Sequence, residues 1–436
     1  MGQRHRVVII GGGFGGLYAA KSLANKNVDV ILIDKKNHHT FQPLLYQVAT
    51  TVLSPSQIAA PLRKILRGAR KVEVLLGEVV DLNLSTKRVR LADLSEIAYD
   101  SLIIAAGARH SYFGHDDWAE IAPGLKTVED ATEMRRRVLK AFEDAEREAY
   151  INNTHIPVSF AIVGGGPTGV ELAGAIAGIA RQALVKDFRE IDTRKARVML
   201  FEGMDRVLGM FAPQLSLRAK KQLEDLGVEV HLNSMVTAIE KDRIRVGEEW
   251  IPASVTLWAT GVAASPLGKL LDAPMDRAGR ILVNPDLTLP NEPSVYVIGD
   301  MASLKDTKGV VVPGLGSAAM QMGNLAAMNL LKRIEGQPPK PFTYKDKGNM
   351  ATIGRNRAIA QVGKLKLSGF VTWLAWGLVH VLLLIGFKNK ALVLLEWAWS
   401  YVTGSGSVRL ITGNGRETDG AEPVRADSAK NASRRE

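Results

Sequence analysis

The chain has 436 residues, no cysteine and a formal net charge of +11. This length is more than one ordinary hydrophobic core organises, so two or three domains are expected. The lack of cysteine excludes disulfides, thiolate metal sites, iron–sulfur clusters and dithiol redox relays. No metal site is predicted from the remaining residue types. The positive charge suits a nucleic acid or an anionic membrane, and net charge alone does not separate them.

The N-terminal segment has the pattern of a nucleotide-binding unit. Apolar runs at Val7–Ile10 and Val28–Ile33 predict buried parallel strands, with a helix over Gly15–Asn25 between them. The turn before the helix reads Gly11-Gly12-Gly13-Phe14-Gly15-Gly16, and Asp34 follows Gly13 by 21 residues. Such glycines let the backbone approach a pyrophosphate, and the acid accepts hydrogen bonds from a ribose. A plain tight turn would need no acid, so this segment predicts a dinucleotide site.

The same supersecondary unit recurs about 150 residues later. A strand at Leu102–Ala106 and a polar helix at Val128–Tyr150 lead to a new strand at Val158–Val163. Gly164-Gly165-Gly166-Pro167-Thr168-Gly169 follows directly and repeats the glycine pattern. The repeat predicts a second dinucleotide domain inserted into the first.

The acid of the second unit is Glu202, which closes a predicted strand at Val198–Phe201. It follows Gly166 by 36 residues, and a helical excursion over Arg181–Ala196 would explain the additional length. A carboxylate there repels a 2′-phosphate and accepts from a 2′-hydroxyl, which favours NADH over NADPH. The alternative is an exposed acid at a strand end.

The second unit is predicted to close near Val255–Gly261, and a strand at Ser294–Gly299 is predicted to rejoin the first sheet. The fold class is therefore α/β, with two nested Rossmann-like dinucleotide-binding domains and a C-terminal membrane-associating helical segment. The predicted divisions are the first domain at 1–115 and 276–341, a connecting helical segment at 116–157, the inserted domain at 158–275, the C-terminal segment at 342–415 and a disordered tail at 416–436.

The C-terminal segment is both apolar and basic. Residues 348–410 contain seven Lys or Arg and one acid, Glu396, and four of the seven tryptophans lie at 373–399. As one helix, Phe370–Phe387 would be ~27 Å long, just short of a comfortable membrane span. A single transmembrane helix and a buried soluble helix pair are the alternatives. The favoured interpretation is monotopic insertion, in which apolar faces and indoles enter one leaflet and the Lys and Arg side chains meet anionic headgroups.

Several motifs together resemble type II NADH:quinone oxidoreductases, within the two-dinucleotide flavoprotein superfamily. They are Leu257-Trp258-Ala259-Thr260-Gly261, Val297-Ile298-Gly299-Asp300, Phe41-Gln42-Pro43-Leu44-Leu45-Tyr46-Gln47-Val48-Ala49, Leu367-Ser368-Gly369-Phe370 and Trp397-Ala398-Trp399-Ser400-Tyr401. The resemblance assigns FAD to the first glycine loop and NADH, as co-substrate, to the second. The residues it implies for nucleotide binding are Gly11, Gly13, Phe14, Gly15, Gly16, Asp34, Lys35, Phe41, Gln42, Pro43, Val80, Ala106, Gly107, Asp300, Gly164, Gly166, Pro167, Thr168, Gly169, Glu202 and Gly261.

Further side chains are given roles by the resemblance, and each has a plain structural alternative. Glu171 is expected near nicotinamide and flavin, where it assists binding or proton delivery; otherwise it only suits the helix dipole. The family's quinone motif has two glutamines four apart, and this chain keeps Gln321 but has Ser317 at the first place. Lys347 is a further predicted contact, although an exposed lysine is the ordinary expectation. For Asp300 the plain alternative is that it caps the following helix, and for Phe41 it is that the ring belongs to the hydrophobic core.

The resemblance implies a peripheral enzyme on the cytoplasmic face of a bacterial inner membrane. It would pass electrons from NADH through FAD to a membrane quinone, without ion pumping. The partners expected are the quinone and an anionic lipid surface, with no nucleic acid and with homodimerisation left open. The alternative function is a soluble-acceptor NADH flavin reductase that acts on a ferredoxin-like partner or oxygen. A non-enzymatic NADH sensor is the alternative of a different class, whereas sulfide:quinone oxidoreductases need the redox cysteines that this chain lacks.

Overall fold

A computed structural model describes residues 4–404 and 408–412. The predicted disordered tail at 416–436 lies outside these residues. The strands before the inserted unit are β1 (His5–Ile10), β2 (Val28–Asp34), β3 (His38–Thr40), β4 (Ala59–Pro61), β5 (Val72–Leu76), β6 (Val79–Asn83), β7 (Arg88–Leu91), β8 (Glu96–Ala98), β9 (Ser101–Ile104) and β10 (Ala108–His110). The later strands are β11 (Ser159–Val163), β12 (Arg197–Phe201), β13 (Val228–His231), β14 (Val236–Glu240), β15 (Arg243–Val246), β16 (Glu249–Pro252), β17 (Val255–Trp258), β18 (Val262–Ala264), β19 (Ile281–Leu282), β20 (Val295–Val297), β21 (Ala302–Ser303), β22 (Asn349–Gly354), β23 (Arg357–Val362) and β24 (Leu365–Ser368).

The helices cover both sheets and then continue into the C-terminal segment. They are α1 (Phe14–Leu23), α2 (Leu45–Ala49), α3 (Pro55–Ile58), α4 (Leu62–Ile65), α5 (Trp118–Ile121), α6 (Val128–Asn152), α7 (Pro167–Gly178), α8 (Pro213–Glu224), α9 (Gly316–Ile334), α10 (Phe370–Leu383) and α11 (Phe387–Thr403).

The first sheet has five parallel strands in the order β20-β9-β1-β2-β5. The strand order reverses beside β1, where β2 lies on one side and β9 on the other, and this is where α/β sheets bind nucleotides. Strand β20 pairs in parallel with β9, so the predicted return of the chain to this sheet is confirmed. The predicted strands and helix of this unit match β1, β2, β9 and α1 to within a few residues.

The second sheet repeats the arrangement with four parallel strands in the order β13-β12-β11-β17. Helix α6 covers this sheet and the adjoining helix α2, and its buried face contributes Met134, Val138 and Phe142 to the same core as Phe160 of β11. A short antiparallel pair, β10 with β18, joins the two units on the other side. The predicted α/β fold with two nested dinucleotide-binding units is therefore confirmed.

The helix predicted over Arg181–Ala196 is wrong for most of its length. Helix α7 ends in a π-turn at Ile179–Ala183, and only a 3-10 turn at Thr193–Lys195 follows. The carboxylate of Glu146 on α6 accepts the backbone N–H groups of Arg189, Glu190 and Ile191 at 2.9–3.1 Å. Because a tertiary contact satisfies these donors, the loop stays ordered without helical bonds.

The C-terminal segment forms a three-stranded antiparallel sheet, β22-β23-β24, followed by two helices. The apolar run predicted as one helix over Phe370–Phe387 is divided, because α10 ends at Leu383 and α11 starts at Phe387. Leu384 is extended, with φ −63° and ψ 141°, and Gly386 has φ +90°, a conformation that favours glycine. Lys388 and Lys390 lie in the first turn of α11, and Lys390 Nζ donates to the Leu382 carbonyl at 2.8 Å.

Among residues 4–404 and 408–412, no helix combines the length and apolarity needed to cross a bilayer.

Candidate functional site

The first glycine loop lies between β1 and α1, and two of its glycines are required by backbone packing. A Cβ on Gly11 would lie 2.3 Å from the Ala105 carbonyl oxygen, and one on Gly16 would lie 1.8 Å from the Gly11 carbonyl oxygen. Gly13 is different, because it caps α1 and a Cβ there would meet nothing within 4 Å. The helix N-terminus is therefore open above Gly13, as a pyrophosphate would require.

The carboxylate of Asp34 is held at the edge of this loop. It accepts the Gly12 N–H at 2.5 Å through Oδ2 and the Lys36 N–H at 2.7 Å through Oδ1. Each oxygen keeps a further lone pair for a ribose hydroxyl. The predicted contact Lys35 is exposed, whereas its neighbour Lys36 is the residue that makes contacts, with Nζ 2.6 Å from Glu129 of α6.

The second loop, between β11 and α7, reproduces this arrangement. Gly166 caps α7, and a Cβ there would meet nothing within 4 Å, whereas a Cβ on Gly169 would lie 1.8 Å from the Gly164 carbonyl oxygen. Glu202 accepts the Gly165 N–H at 2.6 Å and the Met204 N–H at 2.8 Å. The acid thus occupies the same place as Asp34 despite its longer spacing in sequence. Pro167 and Thr168 form the first turn of α7.

The residues predicted to line a flavin lie around the first loop, with differing exposure. Phe41 is buried, and its ring meets that of Phe14 edge-on at 6.0 Å. Phe41 therefore belongs to the hydrophobic core and also faces the first glycine loop. Gln42, Pro43 and Val80 are exposed, while Ala106 and Gly107 are partly exposed. Gly107, with φ +68°, and Gly261, with φ +69°, each follow the end of a parallel strand, β9 in the first sheet and β17 in the second.

Asp300 lies in a 3-10 turn at Gly299–Met301 and faces the N-terminal end of α9. Its Oδ1 would be 3.5 Å from a Cβ on Gly314, and within the described chain its carboxylate makes no hydrogen bond. The helix cap of α9 is Leu315, without a side-chain bond, so the capping alternative for Asp300 finds no support. A partly exposed, unpartnered carboxylate beside the first loop fits the hydroxyls of a bound FAD.

Glu171 lies on α7 and faces both α2 and the C-terminal sheet. Burial raises the pKa of Glu171 to about 8, and the backbone amide of Thr352 on β22 opposes this shift. Burial, with a contribution from the charge of Glu171, also raises the pKa of Tyr46 well above its ordinary value. Near neutral pH the Glu171 carboxyl is therefore largely protonated and able to donate a proton.

Tyr46 begins a hydrogen-bonded connection to the C-terminal helices. Gln47 Nε2 donates to the Tyr46 hydroxyl at 2.8 Å, and its Oε1 accepts from the Trp397 indole N–H at 2.7 Å. All three side chains are buried or half-buried. The sequence motif contained Tyr46 and Gln47, but no periodicity connects them with a tryptophan 350 residues away.

A row of aromatic rings joins the first glycine loop to α10. Phe41 meets His380 edge-on at 6.2 Å, and His380 stacks on Trp376 at 4.3 Å. His380 Nδ1 donates to the Trp376 carbonyl at 2.7 Å, and burial lowers the pKa of His380, which favours the neutral ring. Within residues 4–404 and 408–412, Nε2 makes no hydrogen bond. The predicted site did not include His380, because one polar residue within an apolar run carries no functional signal.

The expectation that the indoles enter a lipid leaflet is wrong for Trp376 and Trp397. Trp376 is 3% exposed, and its ring lies 5.8 Å from that of Trp397, which bonds to Gln47. Trp399, in contrast, is 62% exposed. Two of the tryptophans therefore attach the helices to the protein, and apolar side chains form most of the outward surface.

The predicted quinone residues Ser317 and Gln321 lie in the first turns of α9 and contact the segment before β22. Gln321 accepts the Lys345 N–H at 3.0 Å and donates to the Lys345 carbonyl at 3.1 Å. The hydroxyl of Ser317 is 3.1 Å from that of Tyr344. Both side chains therefore hold residues 344–345 against α9. Lys347 is exposed two residues further on.

Two family models match separate parts of the chain. The pyridine nucleotide-disulphide oxidoreductase model matches residues 5–323, and the NDH2 C-terminal domain model matches residues 347–405. The second match covers the sheet β22-β23-β24 with α10 and α11, so the C-terminal segment is a recognised unit of its own.

Relatives of known function match almost end to end. The chain is 45% identical over 419 residues to the type II NADH:quinone oxidoreductase NdhA of Mycobacterium tuberculosis, covering 92% of this chain and 88% of the relative. It is 44% identical to Ndh of the same organism, covering 92% and 89%. The structure of NDH2 from Plasmodium falciparum in complex with NADH superposes with a TM-score of 0.83 at 20% identity, covering 94% of this chain and all of that one. The chain belongs to the type II NADH:quinone oxidoreductase family.

Proposed function

We propose that the protein oxidises NADH and reduces a membrane quinone, with FAD as its resident cofactor. The observation that carries this proposal is the pair of equivalent sites, each formed by an open helix N-terminus and a carboxylate, Asp34 in one and Glu202 in the other. Each site suits the pyrophosphate and a ribose of one dinucleotide. The overall reaction converts NADH, a proton and quinone into NAD⁺ and quinol.

FAD is assigned to the first loop and NADH to the second. The carboxylate of Asp300, which no described residue bonds, the buried ring of Phe41 and the strand end at Gly107 lie around the first loop. FAD supplies the chemistry that accepts a hydride from NADH and releases two electrons to quinone. The protein orients the two nucleotides and excludes water between them.

Proton delivery is assigned to Glu171. Reduction of quinone to quinol consumes two protons, and Glu171 is a carboxyl that stays largely protonated at neutral pH. Its position between α2 and β22 places it beside Tyr46, on the side of the core that the C-terminal helices cover. A permanently ionised carboxylate there would only attract cations and could not donate.

The quinone is assigned to the region that runs from the N-terminal end of α9 and the segment at 344–348, past the rings of Phe14 and Phe41, to His380 of α10. Ser317 and Gln321 act by holding residues 344–345 in place, because both of their polar ends already face that segment. Lys347 and Nε2 of His380 are proposed to meet a quinone oxygen, because Lys347 is exposed and no hydrogen bond is made to Nε2 by the described residues. Since a quinone carries a long apolar tail, this region must also open toward lipid.

The C-terminal helices are proposed to lie in one leaflet as a peripheral anchor. Val371, Leu374, Leu378 and Leu382 form an apolar stripe on α10, and each is at least half exposed. An outward apolar stripe reverses the usual pattern of a helix in water and is typical of an interfacial helix. The lysines of α11 suit anionic headgroups. This anchor would place the enzyme on the cytoplasmic face of the inner membrane, where NADH is available.

A soluble acceptor, such as a ferredoxin-like protein or oxygen, is the alternative substrate. Reduction of a soluble acceptor would not explain the outward apolar stripe of α10, so the quinone is the favoured substrate.

Stopped-flow spectroscopy of the purified holoenzyme tests the proposed function. Mixing with NADH in the absence of oxygen should bleach the yellow flavin absorbance, and a quinone analogue added next should restore it within a turnover. A protein that retains no flavin, or whose reduced flavin is reoxidised by ferredoxin or oxygen faster than by quinone, would contradict the proposal.

A further inference from the structure

Two methionine side chains beside the second nucleotide site are unusually exposed. Met204 and Met235 are each 67% exposed, although methionine is among the residues most often buried. They lie on two different loops, one after β12 and one after β13. Neither belongs to a hydrophobic cluster of the described residues, so core packing does not explain their positions.

Backbone hydrogen bonds hold these two loops together around Glu202. The N–H of Asn233 donates to the Met204 carbonyl, and the N–H of Ser234 donates to the Glu202 carbonyl, both at 2.9 Å. A Cβ on Gly203 would lie 3.2 Å from the Met235 methyl carbon, so this methyl group lies directly over Gly203. The Met235 methyl carbon and the backbone of Met204 are therefore both next to the strand end that carries Glu202.

We propose that Met204 and Met235 form an adenine-binding shelf for NADH, an inference that rests on the assignment of NADH to the second loop. The adenine ring is bonded to the ribose whose hydroxyls donate to Glu202, so the base must lie within one ring's reach of this acid. Thioether sulfurs make favourable contacts with aromatic rings, and the unbranched side chains adapt to the ring position. Exposed apolar groups at this place are covered when the base binds.

The charged groups next to the shelf favour a neutral ring as its ligand. Asp205 and Arg206 follow Met204, and their closest atoms are 3.9 Å apart. The Glu202 carboxylate faces the loop amides of Gly165 and Met204. An aromatic base without charge suits a surface made of two exposed thioether side chains, whereas a phosphate would meet a carboxylate.

The test compares substrates with and without the adenosine half. KM is measured on the holoenzyme for NADH and for reduced nicotinamide mononucleotide, in Met204→Ala, Met235→Ala and the double variant. Each single change should raise KM for NADH roughly two- to tenfold, the value of a sulfur–aromatic contact, with kcat unchanged. KM for the mononucleotide should not move. Met328→Ala, an exposed methionine on α9, is the matched control.

A binding measurement independent of turnover completes the test. Calorimetric titration of the holoenzyme with ADP-ribose, which has adenine but no nicotinamide, should show a weaker Kd in the alanine variants and near-normal binding in Met→Leu variants. Unchanged ADP-ribose binding, or equal rises in KM for both reductants, would overturn the shelf. A wild-type holoenzyme that binds neither NADH nor ADP-ribose would instead remove the proposed function.

Discussion

Asp34 and Glu202 are carboxylates at equivalent places, one beside each glycine loop, and each is proposed to accept from the ribose of one nucleotide. Sequence spacing identified both, because a strand, a glycine turn, a helix and an acid recur in the same order. It did not show that each carboxylate also fixes its own glycine loop, since two backbone amides bond to each. These bonds are tertiary and leave no trace in periodicity.

Replacement of Glu202 by alanine should raise KM for NADH about tenfold, the order expected when a charged hydrogen-bond acceptor is lost. KM for NADPH should rise less, because the repulsion of its 2′-phosphate is removed as well. Steady-state kinetics with both reductants measure this. Asp34→Ala is the control: it should weaken FAD retention and leave the NADH/NADPH ratio as in wild type. An unaltered ratio in Glu202→Ala would rule out the acid as the specificity residue.

Glu171→Gln should remove a pH dependence of quinone reduction. Because burial raises the folded pKa of Glu171 to about 8, from an ordinary value near 4.5, the wild-type carboxyl donates below pH 8 and ionises above it. The wild-type rate with quinone should therefore fall as pH rises through 8, whereas the glutamine variant should be slower and flat there. A pH series with quinone, against one with a soluble electron acceptor, measures this. If the glutamine variant keeps the fall in rate near pH 8, the pH dependence belongs to another titratable group.

Gln321→Leu should slow quinone reduction while leaving reduction of a soluble acceptor largely intact. The substitution removes two hydrogen bonds to the backbone of Lys345, and with them ~0.5–1.5 kcal/mol of stability for each bond. The segment that would loosen also contains Lys347, whose position in the proposed quinone region would then be less well defined. Turnover with the two acceptors and the thermal midpoint are the measurements, with Ser317→Ala as a milder companion. Equal loss with both acceptors would show a general effect rather than a quinone effect.

At the scale of helices and strands, most of the parallel strands and the helices α1 and α6 could be predicted because their periodicity and glycine turns are local signals. The failures have tertiary causes. Glu146 takes the amides that a helix over 181–196 would have used, and Gly386 divides an apolar run that hydropathy treats as continuous. Likewise, the contact of α7 with β22 depends on a glycine whose need for space no sequence pattern shows.

Gly174→Ala should therefore destabilise the fold. A Cβ at Gly174 would lie 1.7 Å from the Ile353 carbonyl oxygen, so α7 and β22 must separate. Overpacking of this kind costs about 1–3 kcal/mol, and the shift also moves Glu171 on the same helix. Thermal unfolding should show a lower midpoint. Gly178→Ala on α7 meets nothing within 4 Å and should be neutral or stabilising. Equal midpoints for the two variants would contradict the close approach.

At the scale of the whole molecule, the C-terminal unit is the part that exposes the apolar stripe of α10. Sequence composition predicted a membrane-directed surface, but it could not distinguish outward from inward side chains. The side chains of Trp376, Val381 and Leu384 belong to the same core as the second sheet, so deletion of the segment from Phe370 would expose that core. In such a deletion, weaker membrane binding could not be separated from unfolding. Substitution of the outward side chains is the cleaner experiment.

Phe387→Asp combined with Val402→Asp should release the protein from anionic vesicles without unfolding it. These side chains are 87% and 84% exposed, so they contribute little to packing, and exposed substitutions usually change stability by less than about 0.5 kcal/mol. Burial of two such side chains in lipid is worth ~3 kcal/mol or more, so binding in vesicle sedimentation should weaken at least ~100-fold. NADH oxidation with a soluble acceptor should stay near wild type. Tyr150→Asp with Ile151→Asp, exposed apolar residues on α6, should leave vesicle binding intact, because that end of α6 lies outside the proposed anchor. If both double variants sediment alike, α10 and α11 do not form the lipid-binding surface.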